Sequence, residues 1–464
     1  MTATAPAADA TPASVEREVL RLAGPAVLTS FLQTLVFLAD RLLLGRYSEP
    51  ALASMQVQGP IVWSVFSVFA GLTVGTVPLV ARAVGAGDGR RAGEVARASL
   101  RVALALGVGV CLAGIFLAGP LVRAIGPHSP GLRALSERYL GVILLGFPQM
   151  FLATAAAMIL TGAGNTKTPL RIGLLSNTLN VVGDVLFIFG FHVGALRVPA
   201  LGVAGAAAST VVAFTVEAAL LLWVLQREDQ PARVARFFAR ASAASRNARK
   251  ALLRVSTPAM LERVVIHAGF LAYAAVINRL GALVMASNQA MITLEAICFL
   301  GADGFGVAAA TVVGQSLGRE QPRAARHGGL VATGLGIAAL TAAGLVIWGS
   351  GPWSLGLFVP RGTSGSSLVE TAMGAMPLLV LSQPFMAIAV VLAQGLRGAG
   401  DTRSPLIAAV VGGFGVRVGL AWWLGLHLGL GLQAVWVASA VDWVVRTLIC
   451  GGIFLRGRWA RIEV

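Results

Sequence analysis

Asn177, Asn180 and Asp184 share one helix face in SNTLNVVGDVLFIFG at 176–190, spaced i, i+3 and i+7. One carboxylate and two amide carbonyls on a single stripe offer the oxygen ligands that a hard cation such as sodium prefers. Protonation of Asp184 removes the charge instead, so the same stripe can serve a proton. A carboxylate at the centre of a membrane span costs roughly 2.5–3.5 kcal/mol. Such a residue points to function unless a neighbour neutralises it. The competing reading is a hydrogen-bonded cluster that only holds two helices together.

Asp40 is the second candidate. Gln33 lies two turns earlier on the same face and extends the polar stripe inward. Pro25 interrupts the backbone ladder of that helix and lets it bend. An interfacial pair with Arg41 or Arg46 is the structural alternative for Asp40. In the sixth span Thr210 offers a hydroxyl oxygen two turns before Glu217; Glu217 itself reads as a buried hydrogen-bonding group. Asp442 and Arg446 sit at i, i+4 and can satisfy each other. Glu262 and Arg263 lie near a cytoplasmic helix start and can snorkel. Glu295, Asp303 and Arg417 have no evident partner in the sequence.

Catalytic and metal motifs are weak. GAGNTKT at 162–168 resembles a phosphate-binding loop but lacks the glycine directly before the lysine and follows no strand. Its better reading is a turn: Gly162 and Gly164 end one helix and Pro169 starts the next. The histidines at 128, 192, 267, 327 and 427 are scattered, and Cys111, Cys298 and Cys450 fall inside apolar segments without disulfide or metal-site spacing. The chain is therefore read as a non-enzyme with no cofactor and no metal beyond sodium at the coupling stripe.

Long apolar helices must position these groups. Hydrophobic residues make up 56% and charged residues 12% of the chain, the latter about half the share in soluble domains. Twelve spans are expected at 19–46, 51–82, 98–121, 134–161, 168–191, 201–226, 252–278, 282–316, 328–349, 366–396, 404–427 and 431–455. They divide into an N-lobe at 19–226 and a C-lobe at 251–455. An Arg-rich cytoplasmic linker at 227–250 joins the lobes. A disordered tail at 1–18, without signal-peptide order, and a short tail at 456–464 complete the chain. The fold class is all-α integral membrane.

The net charge of +16 invites a nucleic-acid partner. The basic residues instead follow membrane topology. Apart from Arg263, Arg417 and Arg446 within spans, one side and its span ends carry only Arg41, Arg46, Arg123, Arg133, Arg138, Arg197, Arg279 and Arg361. Most of the 36 Lys and Arg lie on the other side, which puts both termini in the cytoplasm.

The two lobes are copies. TGAGNTKTP at 161–169 returns as RGAGDTRSP at 397–405, LRLAGPA at 20–26 as LRVSTPA at 253–259, and Gly85 as Gly318. Ala53, Ser54 and Gln56 likewise meet Ala286, Ser287 and Gln289. The copies share turns, glycines and prolines but not the carboxylates. Asp40 maps to Tyr273, Asn180 to Val416 and Asp184 to Leu420. That asymmetry places the coupling chemistry in the N-terminal half.

The chain resembles the multidrug and toxic compound extrusion (MATE) family. The resemblance is carried by ADRLLLGRYSEPALASMQ at 39–56, GTVPLVARAVGAGDGRRA at 75–92, LTGAGNTKTP at 160–169 with the 176–190 stripe, LGVAGAAAST at 201–210, VVGQSLGRE at 312–320 and QGLRGAGDTRSP at 394–405. It implies two six-helix lobes arranged like a V. It also implies export of organic, often cationic, compounds in exchange for protons or sodium. In the branch that includes the DNA-damage-inducible proteins, the resemblance puts the cation site at Asp40, Asn180, Asp184 and Thr210. Gln33 then faces the drug cavity and Pro25 is the bending point. The acids of a second branch, on helices seven and ten, are not matched. The expected partners are small organic substrates and membrane lipid, with no nucleic acid, and the expected state is a monomer in the plasma membrane. A lipid-linked precursor flippase and an intramembrane enzyme are the rivals.

Overall fold

The computed structural model describes residues 12–125, 129–193, 196–234, 243–359 and 366–462. In chain order the long helices are α1 (Pro12–Tyr47), α2 (Glu49–Ala70), α3 (Gly89–Ile125), α4 (Pro130–Gly162), α5 (Lys167–Phe189) and α6 (Val203–Gln226). The second half repeats the pattern with α7 (Ala243–Asn278), α8 (Ala282–Gly318), α9 (Pro322–Gly349), α10 (Ser366–Gly398), α11 (Arg403–His427) and α12 (Gly431–Arg456). The second expected span, 51–82, is α2 continued through a 3-10 turn into a short helix at Thr76–Gly85. Two short antiparallel strands, β1 (Phe191–Val193) and β2 (Leu196–Val198), join α5 to α6.

Among the described residues, 11 helices are long and apolar enough to cross a membrane. α1 also has the length of a span, at 36 residues, and carries an 18-residue run at 22–39 without a charged residue. The outward surface is strongly apolar. Phe116 is 77% and Leu448 70% exposed, which suits a lipid solvent and not water.

The repeated turns have one geometry. Gly164 and Gly400 take φ of +85° and +94°, a region that favours glycine. Asn165 Oδ1 then accepts from the Thr168 N–H at 3.0 Å, and Asp401 Oδ1 from the Ser404 N–H at 3.0 Å. Both loops are helix stops followed by side-chain-capped starts, as the turn reading of GAGNTKT expects.

The chain forms two compact units. One comprises Leu28–Val84 and Asp88–Ser256; the other comprises Met1–Val27, Gly85–Gly87 and Thr257–Val464. The divisions fall inside α1 and α7, two residues after Pro25 and two before its copy Pro258, and not in the linker at 227–250. Several expected boundaries shift accordingly. The tail expected at 1–18 is helical from Pro12, because Val15, Val19, Leu22 and Ala23 pack against Ala308, Val312, Ala332 and Val391. The last residues of the expected linker are already α7, which begins at Ala243. Residues 456–462 are not a free tail. Trp459 is buried, its ring stacks on Phe454 at 4.7 Å, and its indole N–H donates to the Phe454 carbonyl at 2.7 Å.

Candidate functional site

The first unit buries an acidic cluster between α1, α4, α5 and α6. Asp184 is fully buried on α5, Asn180 is one turn before it, and Asp40 of α1 is buried beside them. The close approach of α5 and α6 makes the cluster possible. A Cβ at Gly183 would fall 2.8 Å from Ser209 Cβ, and one at Gly205 would fall 2.4 Å from the Phe187 carbonyl oxygen. Without side chains at 183 and 205, the two backbones close up and bring Ser209 against Asp184.

The hydrogen bonds are few and directed. Ser209 Oγ donates to Asp184 Oδ1. Asn180 Nδ2 donates to Ser209 Oγ at 3.3 Å and to Thr210 Oγ1 at 3.2 Å. Thr210 Oγ1 also donates to the Ala206 carbonyl at 3.0 Å. The carboxyl groups of Asp40 and Asp184 lie within hydrogen-bonding reach of each other. Three oxygens, Asp40 Oδ1, Asn180 Oδ1 and Asp184 Oδ2, are buried without a hydrogen-bond partner. Two carboxylates in contact repel when both are ionised. A shared proton or a bound monovalent cation removes that repulsion, and the unpartnered oxygens are the atoms that would receive it.

The structure therefore brings Asp40, Asn180, Asp184 and Thr210 together, the four residues expected at the coupling stripe. Asn177 is half-buried on the same face of α5 but takes no part in these hydrogen bonds. The side chain of Gln33 lies outside the described residues. Pro25 sits inside an unbroken α1. Glu217 reaches Ser176 of α5 and not Thr210.

Of the groups left without partners by the sequence, Arg417 and Asp303 find them in the second unit. Arg417 pairs with Asp442 at 2.8 Å, and Arg446 pairs with the same carboxylate at 2.7 Å. Glu262 does not snorkel; it is buried and pairs with Arg397 of α10. Asp303 Oδ1 accepts from Gln394 Nε2 at 2.9 Å.

Comparison with known proteins follows the same duplication. The MatE family model matches residues 25–186 and again 258–423. The chain belongs to the MatE family. The two matches begin at Pro25 and Pro258, the prolines that the repeat pairs. A MatE relative from Rhodopseudomonas palustris, named a probable multidrug resistance protein NorM, is 31% identical over 92% of this chain and 89% of its own. One of the same name from Thermotoga maritima is 28% identical over 97% and 94%. A solved outward-facing structure of a multidrug resistance MATE family transporter of the MOP superfamily has a TM-score of 0.85. It is 22% identical and covers 96% of this chain and 95% of that one. It supports the fold.

Two members of the MatE chain's cluster were not foreseen from sequence. Ser209 is the direct donor to Asp184, whereas the sequence pointed only to its neighbour Thr210 as the hydroxyl oxygen. Tyr139 of α4 is buried close enough to act electrostatically on both Asp40 and Asp184. One signal was available: the chain has only three tyrosines, and Tyr139 is the one placed within an expected span of the N-terminal half.

Proposed function

We propose that this MatE protein is a secondary active multidrug exporter that moves organic, often cationic, compounds out of the cell against an inward flow of protons or sodium. The observation that carries the reading is the set of three buried, unpartnered oxygens on Asp40, Asn180 and Asp184. The names of the relatives, multidrug resistance proteins, supply the substrate class.

In this reading the coupling ion binds between Asp40 and Asp184. Ser209 holds Asp184 from one side, and Asn180 with Thr210 holds the α6 side of the site. Binding replaces carboxylate repulsion with attraction, so α1 and α5 are drawn together in the ion-bound state. Pro25 is the point at which α1 bends in response. Gln33 and Asn177, on the polar faces of α1 and α5, line the substrate path. Coupling requires the ion to favour one conformation of the cluster energetically. The protein works as a monomer in the plasma membrane. Its basic residues support a cytoplasmic location for both termini.

The test is ethidium efflux from proteoliposomes, with sodium and proton gradients imposed separately. One gradient drives efflux by the wild type. Asp184→Asn abolishes driven efflux while the protein elutes as a single folded species. Driven efflux at the wild-type rate from D184N would exclude this site from coupling.

A further inference from the structure

One face of α8, in the second unit, carries chemistry that the ion-exchange cluster leaves unused. Gln289, Thr293 and Ala296 are exposed, and Leu300, Asp303 and Val307 are half-buried. Their spacing of three and four residues makes them one continuous helix face. Within a membrane span, polar and charged side chains turn to protein or to water, not to hydrocarbon. An open stripe that holds an amide, a hydroxyl and a carboxylate is therefore a water-facing stripe.

Asp303 stands where that stripe closes. Every residue of α8 from Ala308 to Leu317 is buried. The start of α1 supplies part of the cover. A Cβ at Gly304 would fall 2.6 Å from Val27 Cα, and Val15 and Val19 share a buried cluster with Ala308 and Val312. The carboxylate thus lies at the inner end of the open face.

The charge of Asp303 is not spent inside the protein. Gln394 Nε2 donates to its Oδ1 at 2.9 Å. A Cβ at Gly306 would fall 2.6 Å from Gln394 Cγ, so the missing side chain lets that amide come up to the carboxylate. Arg397, one turn along α10 from Gln394, pairs with Glu262 at 2.5 Å instead. Among the described residues no cation lies at ion-pair distance from Asp303. The repeat shows that the fold does not ask for this acid. Gln289 has its copy in Gln56, but Asp303 and Gln394 fall on Ala70 and Met158.

We infer that Asp303 is the anionic anchor for the positively charged group of an exported organic cation, with Gln394 as its positioning residue. A single carboxylate with one oxygen already engaged is too poor in oxygen ligands for a hard metal cation. Ala296, Leu300 and Val307 on the same face suit the apolar body of an organic one. The inference rests on the reading of the protein as an exporter of such compounds.

The test measures equilibrium binding to the purified full-length chain in lipid nanodiscs, with no ion gradient and with empty nanodiscs subtracted. The probes are ethidium and phenanthridine, its uncharged ring system. The wild type prefers ethidium at least about tenfold, as a charge contact in a partly desolvated site requires. Asp303→Asn loses that preference by weakening ethidium alone, and Asp303→Glu keeps it. Equal ethidium affinity in D303N and the wild type overturns the assignment. An equal loss for both probes also overturns it, because a merely structural role weakens both. Should D303N fold poorly, Leu300→Arg puts a guanidinium one turn from Asp303 on the open face and erases the same preference. An unchanged preference in L300R overturns the assignment as well. A wild-type chain that binds no ethidium overturns the export reading together with the anchor, whereas ethidium bound alike by wild type and D303N overturns the anchor alone.

Discussion

Ser209 does at residue scale what the carboxylates cannot do for themselves. Its hydroxyl fixes one Asp184 oxygen and leaves the other unpartnered and available. A hydrogen bond to a charged group contributes about 1.5–3 kcal/mol. Ser209→Ala is therefore expected to weaken ion affinity at least about tenfold. The measurement is the half-saturating concentration of the driving ion in ethidium efflux. Thr210→Ala, one bond removed from the carboxylate, is expected to shift the same quantity less. Equal shifts from both variants would mean that the two hydroxyls are interchangeable. At this scale the sequence pointed to the residues of the proposed site: Asp40, Asn180 and Asp184 are visible because carboxylates and amides are costly in an apolar helix. It could not rank Ser209 above Thr210, because neighbouring helix positions differ by a rotation that only packing resolves.

The helices set the site through small residues and prolines. Gly183 lets α5 meet α6, and Gly183→Val forces atoms into a space 2.8 Å from Ser209 Cβ. Overpacking of this kind costs roughly 1–3 kcal/mol, so the variant should unfold at lower temperature and also lose ion-driven efflux. A change in transport with an unchanged Tm would show that the contact is looser than described. Pro25 acts in the opposite sense. An interior proline costs a helix about 3 kcal/mol or more. Pro25→Ala is expected to stabilise straight α1, raise Tm and slow efflux, while ion affinity stays near that of the wild type. Unchanged efflux from P25A would remove bending at Pro25 from the cycle. The helices themselves were legible as apolar runs, and the turns as GAGN and GAGD. The start of α1 at Pro12 was not. Val15 and Val19 are too sparse among charged residues to mark a span, and they become a buried stripe only once α8 and α9 are in place.

The whole molecule is a duplication with unequal halves. Its two family matches, at 25–186 and 258–423, carry the same turns. Its first copy has an acidic cluster with open oxygens, and its second holds Asp442 between two arginines. A single exchanging site predicts a simple ion dependence for the intact protein. Efflux rate against driving-ion concentration should follow a Hill coefficient near one; a steep, cooperative curve would require a second exchanging site. The sequence by itself determined the membrane class, the repeat and the asymmetry of its carboxylates. Composition, turn residues and charge in apolar runs are local properties that need no neighbour to be read. Only the tertiary structure decided which charges are paired. Arg417 meets Asp442, Glu262 meets Arg397, and Asp184 meets Ser209, each pair drawn from two different helices. The first turns of α1 likewise join the second unit. Whether a buried acid is compensated depends on which helix faces are brought together, and periodicity along one helix does not contain that information.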